Sequence, residues 1–347
     1  MCLDAHAHGM RVEHEIFKTP NAVTPTLETR DTPSDYGGEI ASPTMPMWRV
    51  QTEGYLEGAG QLIGVVSGDK GFLDSPDTEW LSGGVNSKGP KAVALGRHAN
   101  FFHWGFAASP SYLTDEAKLV FVNAVHYIAK FDGVKPVGRK VEGSATRETV
   151  LSLLEGITDE GYARRLKSHE EFVQARAKEK AELEKRKAAG EELTEWELQM
   201  LSWPASEPPE RLKYAKRYFP SLPWDELGDD VAKIDALIRA KLPYVYNDGR
   251  YILAVDEELE AFGVGNGDPA FLEKAIAALD GDQGERALAL LGRYTEQDFT
   301  LAADWRAWLK ATEGHRFFTE AGGYKWLVDT NALNAKARAV EAATPTR

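Results

Sequence analysis

The sequence has little of what would announce a chemistry. Cys2 is the one cysteine in 347 residues, which excludes an internal disulfide framework and any site built from several thiolates. No apolar run approaches the roughly 18 residues that a membrane-crossing helix needs, and the N-terminus lacks the charged and apolar regions of a secretory signal. Basic residues are outnumbered: 41 Lys and Arg against 54 Asp and Glu leave a net charge of -13. That balance argues against a nucleic-acid groove or an anionic membrane surface. Even the densest basic run, Lys178 to Lys187, is interleaved with Glu179, Glu182 and Glu184, the pattern of a solvated helix. No repeat recurs at a fixed period. The partners left in view are a small molecule, a carbohydrate or another protein.

What is present divides in two. With 43% hydrophobic residues, the chain is long enough for two domains with separate cores. Residues 20–50 are rich in proline and threonine and read as an extended, wrapping segment. Trp48 to Gln51 and the continuous apolar run Leu62-Ile63-Gly64-Val65-Val66 read as strands, the second as one buried on both faces of a sheet. The most informative stretch follows. Val93 and Leu95, then Phe101, Phe102, Trp104 and Phe106, flank Gly96-Arg97-His98-Ala99-Asn100, which predicts a β-hairpin. Thr114 offers an N-cap hydroxyl, and Ala117, Val120, Phe121, Ala124, Ile128 and Phe131 recur at helical spacing before Gly133, predicting a helix. After a connector containing Lys, Gly and Pro, nearly everything reads as helix. The expected organisation is an α/β domain over 1–133, a linker over 134–145, a helical domain over 146–335 with a charged hairpin protruding near 160–200, and a flexible tail over 336–347.

The hairpin, its terminal helix and the glycine-rich approach Gly83-Gly84-Val85-Asn86-Ser87-Lys88-Gly89-Pro90 resemble the C-terminal end of class I glutamine-amidotransferase-like domains of the trehalose-utilisation (ThuA-like) type. They are similar, more closely, to a set of long planctomycete-type bacterial proteins with a helical C-terminal region. There the resemblance extends to Leu290-Leu291-Gly292-Arg293-Tyr294-Thr295 and Phe317-Phe318-Thr319-Glu320-Ala321-Gly322-Gly323-Tyr324. The resemblance implies an α/β fold: a partial flavodoxin-like sheet closed by a hairpin and helix, followed by a mainly α-helical domain. It also implies a missing front half. The chain opens at Met1-Cys2-Leu3-Asp4 in motif-like sequence, so an upstream segment is expected and the compartment stays open. Glutaminases of this fold need a cysteine on a tight strand-to-helix turn, and Cys2 has neither the preceding strand nor the flanking glycines.

Three groups of residues can carry chemistry. Asp4-x-His6-x-His8 places two imidazoles on one side of a strand, a spacing able to start a divalent-metal site. Arg97 and His98 in the hairpin can hold a carboxylate or phosphate, or Arg97 can fasten the loop by pairing with Asp74 or Asp77. Those two aspartates, with Asp69 and Glu79, form an acidic group in the loop after the apolar run, and Trp104 offers a face on which a sugar ring can stack. Two functional expectations follow. The leading one is a degenerate, non-glutaminase amidotransferase-like domain that acts in binding or assembly, with carbohydrate among its ligand classes and no cofactor. The competing one is a hydrolase, metal-assisted through His6 and His8 or built on the Arg97-His98 turn.

Overall fold

The computed structural model describes residues 3–36, 39–52 and 64–335; Cys2, Leu62, Ile63 and the 336–347 tail lie outside them. Six strands precede the first α-helix: β1 (His6–His8), β2 (Leu27–Asp31), β3 (Thr44–Arg49), β4 (Thr78–Gly84), β5 (Val93–His98) and β6 (Phe101–Trp104). They form one sheet in the order β2-β3-β1-β4-β5-β6, and every neighbouring pair is antiparallel. This corrects the flavodoxin-like expectation, because flavodoxin-like sheets are parallel. The physical reason can be seen in the element order. Parallel neighbours need a crossover of a dozen or more residues, usually a helix, between consecutive strands, and among the described residues no α-helix separates any of these six. The apolar run that suggested a doubly buried strand is not one in its described part. Gly64 to Val66 are outside any strand, Val65 is 60% exposed, and only Ser67 forms a bridge, to Val93.

The hairpin and helix form where the residue pattern places them, except that the turn is only Ala99-Asn100 and Gly96, Arg97 and His98 belong to strand β5. β5 and β6 pair from Leu95↔Trp104 to His98↔Phe101, with Ala99 at φ +50° closing the tight turn. Helix α1 (Asp115–Ile128) starts at Thr114, whose hydroxyl accepts from Ala117 N at 3.2 Å, and Asp115 and Glu116 complement its N-terminal partial charge. Its apolar stripe of Ala117, Val120, Ala124 and Tyr127 packs with Leu3, Phe17, Trp48, Leu81 and Leu95 in one core.

The chain separates into two compact units. One comprises residues 1–146 together with 257–347, and the other comprises 147–256. The second unit contains α2 (Arg147–Ile157), α3 (Asp159–Ala188), α4 (Glu195–Ser202), α5 (Lys213–Tyr218), α6 (Trp224–Leu227) and α7 (Val231–Lys241), closed by a hairpin of β7 (Val245–Gly249) and β8 (Ile252–Val255). α3 and α4 make a helical hairpin around Gly190, at φ +81°, and α4 begins with a reciprocal capping box between Thr194 and Glu197. The returning part of the first unit holds α8 (Glu257–Phe262), α9 (Ala270–Ala278), α10 (Gly284–Tyr294), α11 (Ala302–Ala311) and an antiparallel pair, β9 (Arg316–Thr319) with β10 (Lys325–Val328). No helix among the described residues is long and apolar enough to cross a membrane.

Candidate functional site

Neighbouring residues on a strand point to opposite faces of a sheet, and this separates Arg97 from His98. Arg97 lies opposite Glu79 in the β4–β5 register and donates Nε–H to Glu79 Oε2 at 2.8 Å. Its Nη1 donates to Ala99 O at 2.9 Å, and its guanidinium stacks 4.1 Å from the centroid of Phe131. The same carboxylate oxygen accepts the Tyr127 hydroxyl and stands 3.7 Å from His14 Nε2. Burial works to raise the pKa of Glu79, but the hydrogen bonds from His14, Arg97 and Tyr127 outweigh it and hold the carboxyl far below its ordinary value. Burial and the neighbouring carboxylate both push the Tyr127 hydroxyl upward. Arg97 is thus committed to a network inside the first unit, through Glu79 and not through Asp74 or Asp77.

His98 faces a cavity of about 150 Å³. Its wall is made by the 67–72 loop, Ser75 and Thr78, the 138–140 stretch, and Thr319 and Ala321 beside the β9–β10 turn. Four of the lining residues are basic side chains, Lys70, His98, Arg139 and Lys140; four carry hydroxyls; three are glycines, and none is acidic. Arg139 and Lys140 have no hydrogen-bond or ion-pair partner among the described residues. The Lys140 ammonium overhangs Gly68, 4.0 Å from where a Cβ would stand. Gly71 has φ +74°, and a Cβ there would come within 2.4 Å of the Ala321 methyl, so only glycine lets the loop approach this closely.

The aspartates of the acidic loop build this wall from behind. Asp74 Oδ2 accepts the backbone N–H groups of Glu320 at 3.0 Å and Ala321 at 3.2 Å. Asp77 accepts the Ser75 hydroxyl and, at 3.0 Å, the Val137 N–H. Its other neighbour is His98 Nε2 at 3.6 Å, a buried nitrogen that makes no hydrogen bond. Both carboxylates are therefore spent on fastening segments distant in sequence. Trp104 packs edge-on against Phe121 and Phe106, with centroids 5.1 and 6.1 Å away.

The two strand histidines have separate surroundings. His6 Nδ1 donates to Asp4 Oδ1 at 2.9 Å, and its Nε2 lies 3.7 Å from Glu28 Oε2. The bond from His6 holds the Asp4 carboxyl below its usual range. His8 turns instead to Tyr36, 2.9 Å away. The Tyr36 hydroxyl donates its single proton to Gly84 O, so it accepts from His8 Nε2–H and from Asn86 N–H. Burial lowers the His8 pKa to about 4 and raises that of Tyr36 to about 12. With Nε2 of His8 taken by the phenol, the pair does not fit a two-histidine metal site. Among the described residues no group of three or more His, Cys, Asp or Glu side chains can hold a metal ion.

Sequence reasoning missed Lys70, Arg139, Lys140 and Thr319. The only trace was compositional, since Gly68-Asp69-Lys70-Gly71 and the 134–143 connector read as punctuation between elements. No protein-family model matches this chain, and no curated protein or solved structure does either.

Proposed function

We propose that the first unit is a non-catalytic binding module whose ligand is a small anion, held in the cavity between the 67–72 loop and residues 138–140. One observation carries the reading: in a chain of net charge -13, this cavity is lined by Lys70, His98, Arg139 and Lys140 with no carboxylate in its wall. Ionised donors in a recessed site make the stronger class of hydrogen bond to an anion, and the hydroxyl of Thr319, which accepts from Gly322 N at 2.8 Å, keeps its own proton to donate. A neutral sugar is less well served. Trp48 is buried and the Trp104 ring is engaged by Phe121 and Phe106, whereas stacking needs an open indole face. Kinship with the planctomycete-type proteins, proposed on the 290–295 and 317–324 motifs, supplies no reaction.

Titration of the full chain with inorganic phosphate and with acetate, followed by calorimetry at low ionic strength, tests the proposal. Saturable binding that weakens about tenfold in Arg139→Ala supports it. Binding of neither anion would sink it, as would affinities untouched by that substitution.

A further inference from the structure

The size and charge of the same cavity say more about its occupant. We infer that it takes a tetrahedral dianionic head group, that of a phosphomonoester, and that the rest of the ligand stays outside; this rests on the anion-binding reading above. A cavity near 150 Å³ is the size that, in an apolar core, admits one six-carbon ring. It therefore admits a head group of five or six heavy atoms and not a whole sugar phosphate. The wall here is polar, so the occupant has to bring acceptors to it.

Charge decides between heads of similar size. Arg139 and Lys140 are two cations with no partner among the described residues, and both line the cavity. A carboxylate answers one of them. A phosphomonoester answers both, because its second ionisation lies near pH 6 and it is dianionic above that. The donors also come from several directions, as a tetrahedral group requires and a planar carboxylate does not. Lys140 reaches over Gly68, Arg139 lies next to it in the chain, and Thr319 comes from β9. Fixing such a wall needs rigid support behind it. Asp74 binds the N–H groups of Glu320 and Ala321, and Asp77 binds that of Val137, which together tie down three of the contributing segments.

The test is calorimetric titration of the full chain near pH 7.5, where the phosphomonoester is dianionic, with glycerol 3-phosphate, glycerol, acetate and methyl sulfate. Glycerol 3-phosphate is expected to bind about tenfold or more tightly than acetate, glycerol to give no heat, and methyl sulfate, tetrahedral but singly charged, to bind no better than acetate. The double variant Arg139→Ala, Lys140→Ala should lose most of the glycerol 3-phosphate affinity while keeping its thermal midpoint, since both side chains are exposed. Acetate or methyl sulfate binding as tightly as glycerol 3-phosphate would overturn the dianion inference and leave the small-anion reading standing. Failure of every anion to bind would overturn both. Full affinity in the double variant would place the binding elsewhere and overturn both as well.

Discussion

Two charge clusters in this chain are near mirror images. On the sheet, one carboxylate, Glu79, gathers Arg97, Tyr127 and His14. At the tip of the α3–α4 hairpin, one guanidinium, Arg186, gathers the carboxylates of Glu191 and Glu197. The bond geometry is similar, but the surroundings differ. The Arg97 side chain is 8% exposed and stacked on Phe131, while Arg186 is 35% exposed and its partner Glu191 55%. Removing one partner from a desolvated pair strands the other in a medium that cannot hydrate it, whereas a solvated partner returns to water at little cost. The same short contacts therefore hold the sheet and merely decorate the hairpin.

The sharpest way to break the comparison is Glu79→Ala. It leaves a buried guanidinium and the Tyr127 hydroxyl without their acceptor, and should cost about 2–4 kcal/mol, below the full cost of breaking a wholly buried pair because Glu79 is 28% exposed. Urea denaturation at neutral pH measures this, and a loss under about 1 kcal/mol would show that water reaches the network.

Acid is the next probe. His8 has a folded pKa of about 4 against an ordinary 6.5, so the unfolded chain binds the proton more readily than the folded one. Its contribution is intact above pH 6.5 and is lost as the pH falls toward 4, by about 3 kcal/mol in all. The depressed Glu79 acts in the same direction further into acid, because the folded state resists its protonation. His8→Gln, which keeps an N–H for Tyr36 but does not titrate, should flatten the slope of stability between those two pH values; an unchanged slope would assign it elsewhere.

Asp74→Ala removes the acceptor of two backbone N–H groups and should cost about 2 kcal/mol. Hydrogen exchange should show the loss as faster exchange at Glu320 and Ala321. Arg186→Ala is the smallest effect. It should leave the thermal midpoint unmoved at both low and high salt, and a clear drop would mean that the hairpin tip is better shielded than its exposure indicates.

Local sequence signals made the β5–β6 hairpin and α1 legible, since alternation, turn residues and the Thr114 cap are properties of adjacent residues. The helices α2, α3, α4, α7, α9, α10 and α11 were legible for the same reason; the short helices α5, α6 and α8, of four to six residues, and the β7–β8 and β9–β10 hairpins were not, because such short elements carry little periodicity. The direction of the sheet is a property of which strands meet, and β1, only three residues long, carries almost no periodicity. A resemblance resting on one hairpin and one helix could not supply it. The site was half legible. Asp74, Asp77 and His98 stood out by chemistry, but their roles depend on Glu320, Ala321 and Val137, which no spacing rule connects to them. Lys70, Arg139 and Lys140 were hidden in loops whose composition signals only a turn.

The bonds from Asp74 to Glu320 and Ala321 also have a consequence in time. On a growing chain the carboxylate is made some 246 residues before the first of its partners, and the whole 147–256 unit is synthesised in between. Chains fold domain by domain as they emerge, so the interrupting unit is free to finish first, while the cavity wall stays incomplete until residues 320 and 321 have been made. Closing this wall is therefore a step that can only follow synthesis of the whole 147–256 unit.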